Sequence, residues 1–217
     1  MVNLTVANIF SPIASRIVRA LLLAPKKERS ILAISKETGT GYGHTYRLVK
    51  TLLAMGLCRE TDARTILLTN PGELLTRWAN YFDFASFNKL NAYYSLYDDL
   101  DTFLHKLRAG PRGIWRHALT LQAGAALVSP YVRPANVHLY IESKHLRHWQ
   151  EFLNLELTEM GGNVFLVEPY DEGVFFEVQK CDGLPVVSNI QLYVDLYNYP
   201  ARGREAAEHL RKEAIRF

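Results

Sequence analysis

The hydrophobic pattern of residues 30–69 predicts two helices followed by a hairpin. Apolar or small side chains recur at the three- and four-residue spacing of a helix with one buried face: Thr45, Leu48, Val49, Leu52 and Leu53. A shorter helix is predicted from Ser30, residues 39–41 form the turn between the two, and Gly56 ends the second helix. Residues 57–60 and 65–68 then form two short strands joined at 61–64. This order predicts a winged helix-turn-helix, a fold that reads DNA.

Two further patterns extend this prediction through the N-terminal half. Ser11 and Pro12 mark the start of a helix, and Pro25 ends it. Later, apolar positions follow one another in steps of three and four: Leu90, Tyr93, Tyr97, Leu100, Leu104 and Leu107. We interpret this run as a connecting helix, which either pairs with its copy in a homodimer or packs on its own chain. Residues 110–113 (Gly-Pro-Arg-Gly) end that helix and predict a domain boundary.

Beyond residue 113 the pattern alternates between strands and helices. Extended runs at 115–119, 137–141, 163–167 and 174–178 predict strands. Amphipathic or capped runs at 121–128, 144–153, 189–197 and 204–215 predict helices. The predicted fold class is α+β. It comprises a winged helix-turn-helix domain (1–80), a helical connector (81–112) and a mixed α/β domain with a small sheet (113–217).

Charge strengthens the DNA-binding prediction because it collects in the first of these domains. Residues 1–80 carry eleven Lys and Arg against five Asp and Glu, a net charge of +6, whereas the remainder carries 14 against 17, a net charge of −3. Phosphate binding requires such a local excess of positive charge. Two distant cysteines, no signal-peptide pattern and no long apolar run predict a cytoplasmic protein without a membrane partner.

Six side chains are candidates for contacting double-stranded DNA, since the second helix of such a motif enters the major groove by its N-terminal part: Tyr42, His44, Tyr46, Arg47, Lys50 and Arg64. Arg47 has the paired donors that read guanine, and Lys50, one turn later, suits a phosphate. The three aromatic side chains can donate to phosphates or touch base edges. Arg64, at the hairpin tip, suits the adjacent minor groove. The alternative is a helical domain that binds a protein, with these residues as ordinary solvated positions.

Enzymatic interpretations rest on fewer residues. Glu142 and Lys144 follow an apolar strand as in restriction-type nuclease sites, although no second acid precedes them to share a divalent cation. Glu142, His145 and His148 are metal-ligand types at helical spacing, and Asp98, Asp99 and Asp101 form an acidic group. Solvated helix faces are the better explanation of both sets. We therefore predict no catalytic residue, no metal and no cofactor.

A polar group interrupts the apolar helix predicted at 189–197. Gln191 and Asp195 lie four residues apart and so share one helix face, and Arg202 follows shortly after. These residues either form a buried network that holds the last helices on the sheet or present a partner surface. We favour the buried network.

Two segments of the second half carry a family resemblance. The first, residues 118–134 (ALTLQAGAALVSPYVRP), resembles an A-L-T-G-x-x-A-A segment. It departs from that pattern at Leu121 and Gln122, which stand near the position of the pattern's glycine. PVVSNIQLYVDLYNYPARGREAAEHLRKE (185–213) is similar to a signature of V-S-x-x-Q-L-Y-x-D-L followed by R-G-x-E-A-A-E-x-L. With the N-terminal winged helix, they resemble the AbiEi-type antitoxins of type IV toxin–antitoxin systems. The resemblance implies a regulator that binds repeats in its own promoter, represses its operon and counters a nucleotidyltransferase-like toxin through its C-terminal domain.

The sequence therefore predicts a sequence-specific DNA-binding repressor of the antitoxin type. A homodimer is expected, because operator palindromes match the two-fold symmetry of a protein dimer. Two alternatives stay open: a metal-dependent nuclease using Glu142 and Lys144, and a winged-helix regulator whose second domain senses a small molecule.

Overall fold

The structure is a computed structural model that describes residues 8–97, 99–110, 114–159 and 161–217. The chain folds into two compact units, one reaching to Tyr81 and including Phe217, the other spanning Phe82–Arg216. No helix in the described ranges combines the length and the apolar character needed to cross a bilayer.

Helices dominate the first unit. Its elements are α1 (Pro12–Leu23), α2 (Ile31–Thr38), α3 (Tyr42–Ala54), the strands β1 (Cys58–Glu60) and β2 (Ile66–Leu68), and α4 (Pro71–Tyr81). Local signals set the boundaries: the Ser30 hydroxyl accepts the Ala33 amide at 3.1 Å, and Gly39 and Gly56 take the left-handed backbone that ends a helix. β1 and β2 pair antiparallel, with Arg59 opposite Leu67. The helices and the hairpin predicted for residues 30–69 are thus confirmed as elements.

A buried arginine joins three parts of this unit. The Arg29 guanidinium donates to the carbonyl oxygens of Ala20 in α1 (2.9 Å) and of Ala24 directly after it (3.1 Å), and it pairs with Glu37 of α2 at 3.1 Å. Its backbone also forms an antiparallel bridge with Ile66 of β2. The side chain of Arg29 is only 2% exposed, so it acts as an internal brace rather than as a surface cation.

The second unit is built on one seven-stranded sheet. Its elements are α5 (Phe84–Phe87), β3 (Lys89–Ser95), α6 (Leu100–Arg108), β4 (His117–Thr120), α7 (Leu121–Val128), β5 (Val137–Ile141), α8 (Leu146–Phe152), β6 (Leu155–Leu157), β7 (Val164–Glu168), β8 (Gln179–Cys181), β9 (Leu184–Val186), α9 (Asn189–Tyr197) and α10 (Gly203–Leu210). Short 3₁₀ turns cover Ser143–His145 and Glu172–Phe175, and a π-helical turn, Arg211–Ile215, follows α10.

The strand order of this sheet is β6-β3-β7-β5-β4-β9-β8, with parallel pairs at β5–β7 and β4–β9 and antiparallel pairs elsewhere. The central strand β5 is buried at every position. Such uniform burial is typical of a strand covered on both faces. His117 packs against Trp149 of α8, with ring centroids 4.5 Å apart, while Tyr140 bonds to Asp195 of α9. The mixed α/β prediction is confirmed, but a sheet of seven strands is not the small sheet that was predicted.

Two element predictions are wrong. Residues 89–95, expected to begin the connecting helix, form β3 between β6 and β7, so the step pattern from Leu90 does not describe a helical dimer seam. Helix α6 begins only at Leu100. Residues 174–178, expected to be a strand, begin with the end of a 3₁₀ turn. For β3, pairing partners far along the chain, rather than local periodicity, decide the conformation. At residues 172–175 the local cap of Asp171 on the Gly173 amide accompanies the 3₁₀ turn. Asp98 and residues 111–113, which carry part of the acidic group and the expected boundary, lie outside the described residues.

Candidate nucleic-acid interface

Helix α3 buries one face and leaves the opposite face in solvent. Thr45, Leu48, Val49 and Leu52 are buried, as the helical spacing predicts, whereas Leu53, the fifth residue of that face, is half-buried. A chain of hydroxyl groups fixes the start of the helix: Thr38 bonds to Thr40 at 2.8 Å, and Thr40 bonds to Thr45 at 2.7 Å. The turn between α2 and α3 is therefore held by side chains of both helices, which gives the exposed face of α3 a fixed orientation on its unit.

The exposed face of α3 is aromatic and basic. Tyr42 and Tyr46 are 53% and 43% exposed, and their rings stack with centroids 6.4 Å apart. The Lys50 ammonium lies 5.5 Å from the centroid of the Tyr46 ring, so the three side chains form a line along the helix at i, i+4 and i+8. Arg47 is exposed beside this line. Four of the six candidates thus share one accessible surface.

His44 differs from its neighbours because it is half-buried. Its Nε2 atom is inaccessible to solvent and has no hydrogen-bond partner within the described chain. A ring held in this way presents little surface to a groove. Its expected contact with DNA stays a prediction, and among the aromatic candidates it has the weakest geometric support.

The hairpin after α3 presents the sixth candidate. Arg64 is exposed at its tip, in the left-handed backbone region with φ 57°. The tip is closed by Thr61, whose amide donates to the Thr65 carbonyl at 2.8 Å and whose hydroxyl bonds to that of Thr65 at 2.6 Å. Arg64 therefore projects from an ordered turn rather than from a loose loop.

One basic residue of the hairpin did not enter the candidate set. Arg59 is exposed on β1, between buried Cys58 and exposed Glu60. The period-two alternation of a strand could have identified it from the sequence. Glu60, in turn, approaches the Lys50 ammonium to 4.0 Å, so it partly neutralises the cation nearest the hairpin.

Two of the eleven basic residues in residues 1–80 do not contribute to a surface field. Arg29 is buried in its ion pair with Glu37, and Arg19 is fully buried with its guanidinium 5.0 Å from the centroid of the Trp78 ring. The accessible positive charge is therefore smaller than the sequence indicates. The other nine lie on α3 and the hairpin, at exposed lysines of neighbouring segments, and on α1 and α4, where Arg16 is half-buried and Arg77 pairs with Glu73.

A second polar cluster lies inside the other unit, around the Asp195 carboxylate. Asp195 is 1% exposed and accepts hydrogen bonds from the Thr120 hydroxyl (2.5 Å), the Gln191 amide (2.6 Å) and the Tyr140 hydroxyl (3.2 Å). Burial together with the neighbouring carboxylate raises the pKa of Tyr140 well above its ordinary value, so that phenol stays a donor. The cluster joins α9 to β4 and β5 and has the geometry of a structural network.

Arg202 lies apart from that cluster. It is exposed, pairs with Glu205 at 2.7 Å and lies over the Tyr131 ring at 5.3 Å. Arg202 is therefore not part of the buried network that was favoured for it from the sequence. Gln191 and Asp195 are therefore buried together, and Arg202 forms part of the surface.

The residues of the nuclease hypothesis are held by ion pairs. Glu142 is contacted by Arg116 at 3.4 Å, Lys144 at 3.5 Å and His145 at 3.6 Å. His148 instead packs on the ring of Trp115, at 5.1 Å. In the described part of the chain no group of three His, Cys, Asp or Glu side chains is arranged to hold a metal ion. Two cations, Arg116 and Lys144, lie beside Glu142, and this environment favours ion pairs over a site for divalent metal.

Comparison with known proteins identifies a family. A family model described as a transcriptional regulator, the AbiEi antitoxin of type IV toxin–antitoxin systems, matches residues 67–216, well over half of the chain. The chain belongs to this family. No curated protein and no solved structure matches it.

The AbiEi match covers the second unit and α4, and it begins inside β2. The two segments that carry the family resemblance in the sequence meet in the fold, because Thr120 of the first donates to Asp195 of the second. All six candidate DNA-contacting residues precede the match. The family assignment thus rests on residues 67–216, whereas the DNA-binding hypothesis rests on residues that precede them.

Proposed function

We propose that this AbiEi-family protein is a sequence-specific DNA-binding repressor that regulates its own toxin–antitoxin operon. Residues 1–80 would act as a winged helix-turn-helix domain, with α3 in the major groove and the hairpin as the wing. The observation that carries this proposal is the exposed aromatic and basic face of α3, where Tyr42, Tyr46, Arg47 and Lys50 are all accessible. Base-reading and phosphate-binding groups alternate there as major-groove recognition requires.

The division of roles within that face follows from reach and charge. Arg47 makes no ion pair within the described residues, so its guanidinium is available for bidentate bonds to guanine. Lys50 lies one turn further from the helix start and is a point charge suited to phosphate. Arg64, on the hairpin tip, would enter the adjacent minor groove.

The proposal is tested by measuring the affinity of the purified protein for a labelled duplex from upstream of its own operon. Arg47→Ala should weaken binding by about 1–3 kcal/mol and relax sequence preference, as expected for a bidentate base contact. Lys50→Ala and Arg64→Ala should weaken binding more uniformly across sequences, and the loss of a phosphate contact at Lys50 should lower the salt dependence of binding by about one counterion.

Arg147→Ala is a matched control, because it removes the same charge from an exposed side chain of α8 in the second unit. It should bind the duplex as the parent does. If Arg47→Ala retained the parent's affinity and sequence preference, the recognition-helix assignment would be wrong. If the parent bound no upstream duplex better than unrelated DNA, the repressor hypothesis would fail as a whole.

The antitoxin role is proposed for residues 113–217, with a nucleotidyltransferase-like toxin as the protein countered and residues 81–112 between the two functional parts. Membership of the AbiEi family supports it. In cells that express the neighbouring toxin gene, co-expression of the full chain should restore growth. The Arg47→Ala variant should restore it equally, since DNA binding and toxin control would be separate. Growth rescue that disappeared with Arg47→Ala would contradict that separation.

A homodimer is proposed on symmetry grounds, since promoter repeats call for two copies of the reading helix. The seam expected from Leu90 onward no longer supports it, because β3 occupies residues 89–95. Light scattering of the free protein and of its complex with one repeat pair gives the mass directly. A single copy on a repeat pair at saturating protein would refute the dimer.

A further inference from the structure

Gly43 is an unexpected residue at its position in α3. It is the second residue of a thirteen-residue helix, and glycine within a helix lowers helix stability relative to alanine. Such a glycine usually serves a left-handed backbone angle or a close contact inside the protein. Neither applies: Gly43 is absent from the positive-φ glycines, and a Cβ added to it would meet no atom of the described chain within 4 Å beyond its own helix neighbours. The fold itself therefore does not require glycine here.

The surroundings of Gly43 show what lies beside the missing side chain. Gly43 is exposed on the accessible face of α3. Tyr46 and Arg47 lie three and four residues later, so their side chains project next to it on the following turn. The result is a bare patch of helix backbone with an aromatic ring on one side and a guanidinium on the other. A partner can reach the helix backbone there, whereas a side chain at residue 43 would hold it off.

We infer that Gly43 is the point of closest approach between α3 and DNA, where the edge of a base pair lies against the helix backbone while Tyr46 and Arg47 contact the base edges on either side. This inference rests on the proposed DNA-binding function and adds a residue to it. DNA is preferred over a protein as the partner because the rim of the patch carries Arg47, unpaired within the described residues, and α3 itself has no acidic side chain, although Glu60 of β1 lies 4.0 Å from the second cation of the face, Lys50. The ring of Tyr46 offers an apolar surface to a thymine methyl group, which is the apolar group of the major groove.

The variant Gly43→Ala separates this role from a structural one, because the two predict opposite results. Alanine should leave the melting temperature unchanged or raise it by up to about 3 °C, because the full cost of glycine applies to helix interiors and residue 43 lies in the first turn. It should also weaken binding to the upstream duplex by about tenfold, because the added methyl group holds the base pair away from the helix. Gly43→Gln, with a longer side chain and good helix propensity, should weaken binding further.

Thr51→Ala is the matched control. It also introduces alanine into α3, in the last turn of the helix, and removes a hydroxyl that bonds to the Arg47 carbonyl at 3.1 Å. It should leave DNA affinity within about twofold of the parent.

Three results would overturn the inference. A Gly43→Ala protein that binds as tightly as a binding-competent parent would show that no close approach occurs. A lower melting temperature for Gly43→Ala would show that the fold needs the glycine. A parent that binds no upstream DNA would remove both this inference and the proposed function, and the first two results would leave the proposed function standing.

Discussion

Removing the Thr120 hydroxyl tests whether the polar network around Asp195 holds the second unit together. Thr120 and Asp195 are 0% and 1% exposed, and the hydroxyl donates to the carboxylate at 2.5 Å. Thr120→Val keeps the shape of the side chain and removes only the donor, so little cavity energy enters. A hydrogen bond to a charged group contributes about 1.5–3 kcal/mol, and the variant should lose that amount of unfolding free energy. At about 2–4 °C per kcal/mol, its melting temperature should fall by about 6 °C.

Scanning calorimetry and urea titration of the full chain measure this loss. Thr120→Ser keeps the donor and loses one buried methyl group, so its unfolding free energy should fall by about 1 kcal/mol. Its stability should therefore lie between that of the parent and that of Thr120→Val. Thr102→Val makes the same chemical change at an exposed position of α6 and should stay within about 0.5 kcal/mol of the parent. A Thr120→Val protein as stable as the parent, or less harmed than Thr120→Ser, would refute the assignment of a stabilising role to this bond.

Two further predictions concern titratable groups. Burial lowers the pKa of His138 from 6.5 to about 4, so the unfolded chain binds the proton more readily than the folded chain does. The contribution of this histidine to the unfolding free energy should therefore be complete above pH 6.5 and fall by about 3 kcal/mol as the pH drops towards 4. His138→Gln should flatten this part of the stability–pH curve, and an unchanged slope would show that other groups cause it. Burial raises the pKa of the Cys58 thiol to about 12, whereas Cys181 is only half-buried. A thiol reagent should therefore modify Cys181 in the native protein and Cys58 only after unfolding. Equal native reaction rates for the two cysteines would contradict this.

Local signals in the sequence were sufficient for most helix boundaries. A serine directly precedes each of three helices: Ser11 before Pro12 of α1, Ser30 before α2 and Ser188 before α9. The side chains of Ser30 and Ser188 accept hydrogen bonds from backbone amides of their own helices. Helix capping involves residues three or four positions apart, so a single sequence contains the whole interaction. For the same reason the buried face of α3 followed from its spacing.

Contacts between distant residues explain what the sequence could not predict. β3 is a strand because Leu90 pairs with Val167 and Tyr93 with Leu157, more than sixty residues later, and no local pattern contains those partners. At the candidate interface, spacing alone predicted the exposed face with Arg47. The burial of Arg29 and the approach of Glu60 to Lys50 depend on tertiary packing and were not predictable.

The strand order of the sheet also determines when each half of the protein can become complete during synthesis. Arg29, Ile66 and the other contacts named for the first unit lie within residues 8–81, so that half can begin to fold as soon as it emerges. The sheet cannot form at that stage, because several of its partners are synthesised later. β3 pairs with β6 and β7, β4 pairs with β9, and Thr120 bonds to Asp195. At about 5–20 residues per second, synthesis of the rest of the chain takes roughly 7–27 seconds more. In a nascent chain the proposed operator-reading unit would therefore fold before the seven-stranded sheet of the AbiEi-family match can form. A chain truncated after the first unit would retain only the operator-reading part.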